Sequence, residues 1–325
     1  MWRQMENSPS IILIKTSSLG DVLHNLPVVT DICKHVPDAH IDWVVEENFA
    51  QLPMLHPRIN RVIPVAMRRW RKSWWQWRSE MQATCRNLRA CHYDLALDTQ
   101  GLLKSALIAR CVPAMRCGFD WKSAREPLAA LFYDCTHSVA KNQHAVERNR
   151  KLAGLALGYT PQGAPDYGIH APDLMLPWLP ADPYAVLLHA TSRDDKLWNE
   201  QNWIALGKQL NQAGIHSVLP WGNEQEKARS ERLCLAISGA ICTPRINLNE
   251  AAAMLGQAHV VIGVDTGFSH LAAALGVPTI GIYTATDPGL TGLYAGKSAV
   301  NLGGENSSPT IAEVIMVLNK LTGHD

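Results

Sequence analysis

The sequence lacks any apolar run close to the roughly 18 residues that a membrane-spanning helix needs. Its first ten residues, MWRQMENSPS, are polar and include an acidic residue, so a secretion signal is not expected. It also lacks an excess of one charge, because 30 lysines and arginines face 29 aspartates and glutamates, for a net charge of +1. Such a balance provides no overall attraction to nucleic acid. We therefore expect a cytoplasmic protein that does not bind nucleic acid.

Several familiar metal and cofactor motifs are also missing. The eight cysteines form no Cys-x-x-Cys pair and no zinc-finger spacing with histidine, so we expect reduced, mostly buried thiols. There is no Gly-x-Gly-x-x-Gly, His-Glu-x-x-His or Gly-x-Ser-x-Gly motif. The stretch TGLYAGKS is not a P-loop, because Thr291 occupies the first glycine position and no predicted strand leads into it. We expect neither a metal nor a cofactor.

What the sequence does contain is a regular alternation of short apolar runs and helix-like stretches. The apolar runs show little polar alternation, which is typical of parallel strands covered on both faces. Predicted strands lie at 11–15, 41–46, 61–65, 93–98, 184–189, 215–219, 240–243, 260–264 and 279–283. Predicted helices lie near 20–36, 74–91, 101–111, 142–157, 200–213, 223–237, 248–258, 268–275 and 309–321. This order predicts an α/β protein with two doubly wound, Rossmann-like parallel sheets facing across a cleft.

A proline-rich stretch separates the two halves. Residues 160–183 contain six prolines, each of which fixes φ and removes a backbone donor. We predict an N-terminal domain over 1–165, a linker over 166–183 and a C-terminal domain over 184–308. The last stretch, 309–325, is predicted to form a helix that packs back on the N-terminal domain.

The segment VVIGVDTGFSHLAAALGVPTIGIY, 260–283, is the strongest local signal. A buried strand, a turn at Asp265-Thr266-Gly267 and the start of a helix together make an anion site, to which the hydroxyls of Thr266 and Ser269 would add. Simple helix capping explains one such turn equally well, and His270 alone is compatible with packing. The whole cluster lies at the carboxyl end of a strand, where open α/β sheets bind ligands, and this favours a functional site.

Two further loops follow strands in the second half. LLHATSRDDKLW carries Thr191, Ser192 and Lys196, which suit a diphosphate, although Asp194 and Asp195 fit an ordinary charged loop equally well. LPWGNEQEKAR places Glu226 near a helix start, where it would accept ribose hydroxyls or simply complement the helix dipole.

The segment MRRWRKSWWQWR, 67–78, combines five cations with four tryptophans. Such composition suits an anionic membrane surface, a phosphorylated substrate or single-stranded nucleic acid, and a solvated helix face is the plainer alternative. Because four indoles are difficult to bury in one short segment, we favour an anionic or amphipathic partner.

The opening strand–turn–helix, IILIKTSSLGDVLHNLP, has a carboxylate at Asp21 where a phosphate-binding turn would have glycines and a lysine. A carboxylate repels phosphate but suits a hydroxyl that must lose its proton. The turn alone therefore argues against a phosphate site in the first half and leaves the role of Asp21 open.

Together these segments resemble the bacterial lipopolysaccharide heptosyltransferases of glycosyltransferase family 9. The resemblance rests on KTSSLGDVLHNLP, IDWVVEENFAQLP, DTQGLLKSAL, WKSAREPLAALFY, KNQHAVERNR, HATSRDDKLW and VDTGFSHLAAALGVPTIGIYTATDPGL, in that order. It implies a GT-B fold and inverting, metal-independent transfer of heptose from ADP-L-glycero-β-D-manno-heptose to the Kdo 5-hydroxyl of Kdo2-lipid A, as the first heptose of the inner core. It further implies a Gram-negative source and peripheral contact with the anionic cytoplasmic face of the inner membrane.

The resemblance also implies roles for individual residues. Asp21 would be the general base, and Lys196 would stabilise the departing ADP together with the helix start at Thr266. The implied donor-binding residues are Thr191, Ser192, Lys196, Glu226, Ile246, Asp265, Thr266, Gly267 and His270. The implied acceptor-binding residues are Ser18, Gly20, Arg68, Arg69, Arg71, Lys72, Arg125 and His144. Two alternatives stay open at this point: another GT-B inner-core glycosyltransferase with a different sugar or acceptor, and a non-catalytic nucleotide-sugar-binding protein.

Overall fold

The computed structural model describes residues 8–70 and 74–323. The chain forms two compact units, Met1–Gly168 and Ile169–Asp325. The division falls inside the predicted proline-rich stretch, where prolines interrupt both helices and sheet ladders. Among the described residues, no helix is long and apolar enough to cross a membrane.

A six-stranded parallel sheet forms the centre of the described part of the first unit. Its strands are β1 (Ser10–Ile14), β2 (His40–Glu46), β3 (Ile59–Val65), β4 (Leu95–Asp98), β5 (Met115–Phe119) and β6 (Cys135–His137). They are arranged in the order β3-β2-β1-β4-β5-β6. The helices around the sheet are α1 (Leu19–Leu23), α2 (Leu26–His35), α3 (Met67–Trp70), α4 (Trp74–Arg89), α5 (Leu103–Ala109) and α6 (Ala145–Leu157).

The second unit repeats this arrangement. Its strands are β7 (Tyr184–Leu188), β8 (His216–Leu219), β9 (Ile241–Cys242), β10 (Val260–Val264), β11 (Thr279–Tyr283) and β12 (Ala299–Gly303). They are arranged in the order β12-β11-β10-β7-β8-β9, which is the same pattern read from the opposite edge. Its helices are α7 (Glu200–Gln212), α8 (Glu224–Ala236), α9 (Leu248–Gly256), α10 (Gly267–Ala274), α11 (Pro288–Thr291) and α12 (Ile311–Thr322).

Both sheets have the doubly wound order. In each, the second and third strands are added on one side of the first strand, and the last three are added on its other side. This change of side places β1 next to β4 and β7 next to β10. The carboxyl ends of these two pairs are the topological switch points, where open α/β sheets bind their ligands. All four of these central strands are apolar and buried, apart from Asp98 at the end of β4 and the half-buried Ser10 that begins β1.

The structure departs from the predicted elements in a few places. The helix predicted over 20–36 is two helices, α1 and α2, because Pro27 near the start of α2 has no N–H to continue the first one. Strands β5, β6 and β12 were not predicted. The predicted C-terminal helix is α12, and it packs on α7 and beside β11 and β12 of the second unit, with Val314 and Leu318 in that unit's core.

One pair of cysteines also differs from expectation. Cys85 and Cys111 form a disulfide, with Cα atoms 5.0 Å apart, inside the range that a disulfide spans. The prediction that all cysteines are reduced is therefore wrong for this pair. The other six cysteines are free thiols.

Candidate functional site

The first cluster of polar residues is the Asp21 loop, residues 15–21, which follows β1 and enters α1. Ser18 precedes the helix, and Asp21 lies in its first turn. The Ser18 backbone N–H donates to Oδ2 of Asp21 at 2.8 Å, and the Ser18 hydroxyl lies 3.2 Å from the same oxygen. These contacts hold the carboxylate in place while about a quarter of its side chain, 26%, stays exposed. The carboxylate is therefore fixed and accessible, as a general base must be.

Gln100 ties this loop to the neighbouring strand at the switch point. Its Oε1 accepts hydrogen bonds from the backbone N–H groups of Thr16 (3.0 Å) and Ser17 (3.3 Å). Its Nε2 donates to the Ser17 carbonyl at 2.7 Å. Gln100 is itself positioned by its backbone N–H, which donates to the buried Asp98 at 2.8 Å. The conformation of the loop thus depends on a residue that follows β4.

Three cations lie in and around the Asp21 loop. A guanidinium nitrogen of Arg125 lies 3.9 Å from Oδ2 of Asp21, on a side chain that is 67% exposed. Lys104 Nζ donates to the Ser17 hydroxyl at 3.2 Å. Lys15 is buried and donates to the Thr99 carbonyl at 2.9 Å. Burial lowers the pKa of the Lys15 ammonium, and the nearby Asp21 carboxylate opposes that shift. This end of the sheet suits an anionic ligand that carries a hydroxyl.

The remaining residues predicted to bind the acceptor differ in their surroundings. Gly20 lies in α1 beside Asp21. His144 is buried at the start of α6, where its Nδ1 accepts the Val146 N–H, and its ring packs edge-on against His24 at 5.3 Å between centroids. Arg69 pairs with two acidic side chains, Glu47 at 3.2 Å and Glu80 at 3.0 Å. The predicted residues Arg71 and Lys72, and the side chain of Arg68, lie outside the described part of the chain.

The second cluster is centred on Asp265, directly after β10. Lys196 Nζ donates to its Oδ2 at 2.6 Å, and the Thr286 hydroxyl donates to the same oxygen at 2.9 Å. His270 Nε2 lies 3.7 Å from its other oxygen, Oδ1. Thr191 fixes the backbone there, because its hydroxyl donates to the Asp265 carbonyl at 2.9 Å. The segments that follow β7, β10 and β11 therefore meet at Asp265.

The charge state of Asp265 follows from these contacts. Burial disfavours the ionised carboxylate, but His270 and Lys196 outweigh it and hold the pKa of Asp265 well below its usual range. Lys196 carries three N–H donors and uses one of them on Asp265, so it can still donate to a ligand oxygen. Arg193 instead pairs with Asp195 in the same loop. The lysine is thus the cation that this loop directs towards Asp265.

Helix α10 begins beside Asp265, with Thr266 as the residue before it. Its first turn offers free backbone N–H groups and the positive end of the helix dipole. The expectation that Ser269 adds a hydroxyl to an anion site is wrong, because that hydroxyl is buried and donates to the Val264 carbonyl at 2.8 Å. Ser269 packs closely on Gly263, where a Cβ would lie 2.3 Å from its Oγ.

The other predicted donor residues lie along the same edge of the second sheet. Glu226 is in the first turn of α8, and its two carboxylate oxygens accept from the Gly222 N–H at 2.7 Å and the Asn223 amide at 2.8 Å. Ile246 lies half-buried in the loop after β9, just before α9. Ser192 is exposed next to Thr191. The structure thus places these residues at the carboxyl ends of β7, β8 and β9.

Sequence reasoning missed three residues that these clusters contain: Gln100, Lys104 and Thr286. Each follows a strand next to a strand whose loop was recognised, since Gln100 and Lys104 come after β4 and Thr286 after β11. The DTQGLLKSAL and TATDPGL segments were noted only for resemblance. The strand order, which brings the ends of neighbouring strands together, was the missing information.

Comparison with known proteins connects this geometry to a family. A family model described as glycosyltransferase family 9 (heptosyltransferase) matches residues 81–318. The chain belongs to glycosyltransferase family 9. This family 9 glycosyltransferase is 48% identical over 288 residues to lipopolysaccharide heptosyltransferase 1 of Salmonella typhimurium, a match that covers 87% of the chain and 91% of the relative. It is 47% identical over 296 residues to the Escherichia coli K12 protein of the same name, covering 89% and 92%.

Solved structures agree with this assignment. The structure described as E. coli heptosyltransferase WaaC with ADP matches the family 9 chain with a TM-score of 0.90 and 44% identity, covering 96% of this chain and 99% of that one. The same heptosyltransferase with ADP-2-deoxy-2-fluoro heptose matches with a TM-score of 0.86 and 42% identity, again covering 96% and 99%. The predicted GT-B fold, the glycosyltransferase activity and the resemblance to the lipopolysaccharide heptosyltransferases are therefore confirmed, and the two relatives named above are both heptosyltransferase 1.

Proposed function

We propose that this family 9 glycosyltransferase transfers L-glycero-D-manno-heptose from ADP-L-glycero-β-D-manno-heptose to the Kdo 5-hydroxyl of Kdo2-lipid A. The product would carry the first heptose of the lipopolysaccharide inner core, with the anomeric configuration inverted and without a catalytic metal. The names of the relatives, lipopolysaccharide heptosyltransferase 1, and their 47–48% identity over nearly nine-tenths of this chain support the substrates.

The Asp265 cluster supports ADP-heptose as the donor. Similar structures are described with ADP and with a fluorinated ADP-heptose, and their chains match nearly the full length of this one. In the second unit, Lys196 and the start of α10 provide a cation and free N–H groups beside Asp265. A diphosphate needs both kinds of donor. Glu226 would bind the ribose and Ile246 would contact the adenine, at the ends of the neighbouring strands.

The single observation that carries the catalytic assignment is the Asp21 carboxylate. It is held by Ser18, partly exposed, and next to the Arg125 guanidinium. A protein that only binds a nucleotide sugar has no use for a fixed carboxylate at the switch point of its other unit. A transferase needs one to take the proton from the acceptor hydroxyl.

The proposed reaction is a direct displacement in which Asp21 accepts the proton of the Kdo 5-hydroxyl. The freed oxygen forms a bond to the anomeric carbon of heptose from the face opposite ADP, while the bond from that carbon to the phosphate oxygen breaks. ADP leaves with the electron pair of the broken bond. Its added negative charge is stabilised by Lys196, by the hydroxyls of Thr191 and Ser192, and by the α10 N–H groups at Thr266 and Gly267.

The test measures ADP release from ADP-heptose with and without Kdo2-lipid A. We expect release that depends on the acceptor, together with a product that is heavier by one heptose. If ADP is released from ADP-heptose only when a different acceptor is supplied, the protein is another inner-core transferase. Tight binding of ADP-heptose with no turnover on any lipid A acceptor would show a non-catalytic binding protein.

We also propose peripheral contact with the anionic cytoplasmic face of the inner membrane, since the acceptor is a lipid. The composition of 67–78, with five cations and four tryptophans, supports this contact. Co-sedimentation with vesicles that contain phosphatidylglycerol, but not with vesicles of phosphatidylcholine alone, is the expected result. Equal binding to both, or to neither, would argue against it.

A further inference from the structure

Three potential metal ligands lie together on the edge of the first sheet, at the ends of two paired strands. Cys117 of β5 lies directly opposite Cys135 of β6, and Phe119 lies opposite His137, so the parallel register puts all three ligands on one face. The two sulfur atoms and a ring nitrogen of His137 all lie within 4.8 Å of one another. Cys117 is 1% exposed, while Cys135 and His137 are partly exposed.

The spacing within this group matches a tetrahedral zinc ion. Zinc binds thiolate sulfur at about 2.3 Å and imidazole nitrogen at about 2.0–2.1 Å, which at a tetrahedral angle separates the two ligand atoms by about 3.5 Å. The Cys135 sulfur lies 3.5 Å from Nε2 of His137. These two ligands, both on β6, therefore need no rearrangement of that strand to hold one ion.

The charges fit as well. Two thiolates neutralise a divalent cation, and a neutral imidazole adds no charge, so the partly buried site would carry no net charge. The nearest carboxylate in sequence, Asp134, is already paired with Arg116 on β5. Solvent reaches Cys135 and His137 at the sheet edge, where a water molecule can occupy the fourth position.

We propose that Cys117, Cys135 and His137 form a zinc site, with three protein ligands, that joins β6 to β5. Binding forms two Zn–S bonds and one Zn–N bond and releases the two thiol protons to solvent. The site is separate from the Asp21 and Asp265 clusters and takes no part in the proposed transfer reaction.

The position of β6 shows what such an ion would do. The strand has only three residues, and it is the edge strand of its sheet, so few backbone hydrogen bonds hold it. Just after it, the Val139 N–H donates at 2.8 Å to the hydroxyl of Ser123, in the loop that carries Arg125. A metal on β6 would therefore stabilise this strand and the loop attached to it.

The test uses the full chain without an affinity tag, reduced and stripped of metal with a chelator, and titrated with Co²⁺ as a spectroscopic probe. We expect one equivalent of Co²⁺ to bind with the sulfur-to-cobalt charge-transfer band of two thiolates, and Zn²⁺ to displace it and raise the Tm. Cys135→Ser and His137→Gln should each weaken Co²⁺ binding more than tenfold, because even the loss of an outer-shell partner costs about 10–100-fold. Both side chains are partly exposed, so these variants should fold.

The matched control is Cys242→Ser in the second unit, which removes one thiol of the interacting pair Cys234 and Cys242; among the described residues this pair has no third potential metal ligand. This variant should bind Co²⁺ like the parent chain. The proposal is overturned if Cys135→Ser and Cys242→Ser give the same spectrum and affinity. It is also overturned if mass spectrometry of the untreated chain shows Cys117 and Cys135 joined as a disulfide instead of binding metal.

Discussion

Lys196 and Asp265, 69 positions apart in the chain, form a charged hydrogen bond of 2.6 Å in the second unit. The lysine follows β7 and the aspartate follows β10, so the contact exists only because these two strands are neighbours. Thr286 and His270 complete the surroundings of the aspartate. The ammonium is thereby held in one place before any ligand arrives, which reduces the reorganisation needed when a diphosphate binds or departs.

Replacing this lysine should affect both donor binding and turnover. Lys196→Met removes the cation but keeps an unbranched side chain, and we expect kcat to fall about 10²–10³-fold, as for loss of one electrostatic stabiliser. Calorimetric titration with ADP should show weaker binding as well. Lys208→Met, at an exposed position on α7, is the matched control and should behave like the parent. Unchanged ADP affinity and kcat in Lys196→Met would remove the lysine from the site.

Asp21→Asn should remove the proposed base without disturbing the loop. The asparagine oxygen can still accept the Ser18 N–H that now bonds to Oδ2 of Asp21, so α1 keeps its start. We expect kcat to fall by about 10²–10⁴, the usual contribution of general-base catalysis, with ADP affinity unaffected. Steady-state kinetics and ADP titration measure the two quantities. Asp38→Asn, on an exposed turn, serves as the control, and near-normal turnover of Asp21→Asn would show that another group takes the proton.

Arg125 should act on the acceptor rather than on the donor. Its exposed guanidinium near Asp21 is placed to meet an anionic group of the acceptor. We expect Arg125→Gln to raise the acceptor KM about tenfold or more, since a hydrogen bond to a charged group is worth about 1.5–3 kcal/mol. The donor KM should not change. Lys122→Gln removes an exposed cation from the same loop and should have little effect; equal changes in both KM values would indicate damage to the fold instead.

Gly263 should tolerate no side chain, although its φ is ordinary. A Cβ there would lie 2.3 Å from the Ser269 Oγ and 2.9 Å from the Leu188 Cβ. We expect Gly263→Ala to destabilise the second unit by about 1–3 kcal/mol and to raise the donor KM by shifting the start of α10. Thermal unfolding and donor kinetics provide the measurements.

A second substitution tests this packing explanation. Ser269→Ala, combined with Gly263→Ala, removes the nearer of the two clashing atoms and should recover part of the lost stability. Gly304→Ala is the control, because a Cβ there meets no atom closer than 4.0 Å. If the double variant is as unstable as the sum of its single variants, contact with Ser269 is not the cause.

His56 should make the first unit sensitive to mild acid. Its Nδ1 accepts the Arg58 N–H and its Nε2 lies 3.0 Å from the Thr30 hydroxyl, so the buried ring is neutral. Burial lowers its pKa from 6.5 to about 4. Because the unfolded chain then takes up a proton at higher pH than the folded one, stability is lost as the pH falls from about 6.5 to 4.

The loss attributable to His56 between pH 7.5 and pH 5 is about 2 kcal/mol. His56→Asn keeps an acceptor for the Arg58 N–H but does not titrate. It should therefore lower the stability of the unit at pH 7.5 and lose less of it on acidification than the parent does. Denaturant unfolding at the two pH values measures this difference. Parallel pH dependence in both proteins would show that the ring is not neutral in the folded state.

Much of the fold could be predicted from the sequence because the central strands are apolar throughout. The strands predicted at 260–264 and 279–283 match β10 and β11, and others differ by one or two residues at their ends. Strand β5 was missed because MRCGF combines a charge with a glycine, and that glycine is required by the Tyr133 ring, 2.3 Å from where a Cβ would be. The pattern of residues along one strand cannot reveal such a contact with a distant side chain.

The candidate site was predictable where one continuous segment carries it. Asp265, Thr266 and His270 follow one strand, and Asp21 follows another, so the strand–turn–helix pattern indicated both. The residues that a loop contacts on other segments of the chain could not be predicted in this way. That Gln100 holds the Asp21 loop, or that Arg193 pairs with Asp195 while Lys196 turns to Asp265, depends on strand order and side-chain geometry.

The repeated strand order also has a consequence for how the enzyme is made. During synthesis the Asp21 loop leaves the ribosome long before Gln100, and the Lys196 loop leaves before Asp265 and Thr286. Neither loop can take up its final shape until the strand on the other side of it has been added, which is β4 beside β1 and β10 beside β7. Substrate affinity should therefore arise late in translation, after Gln100 in the first unit and after Asp265 and Thr286 in the second have been added.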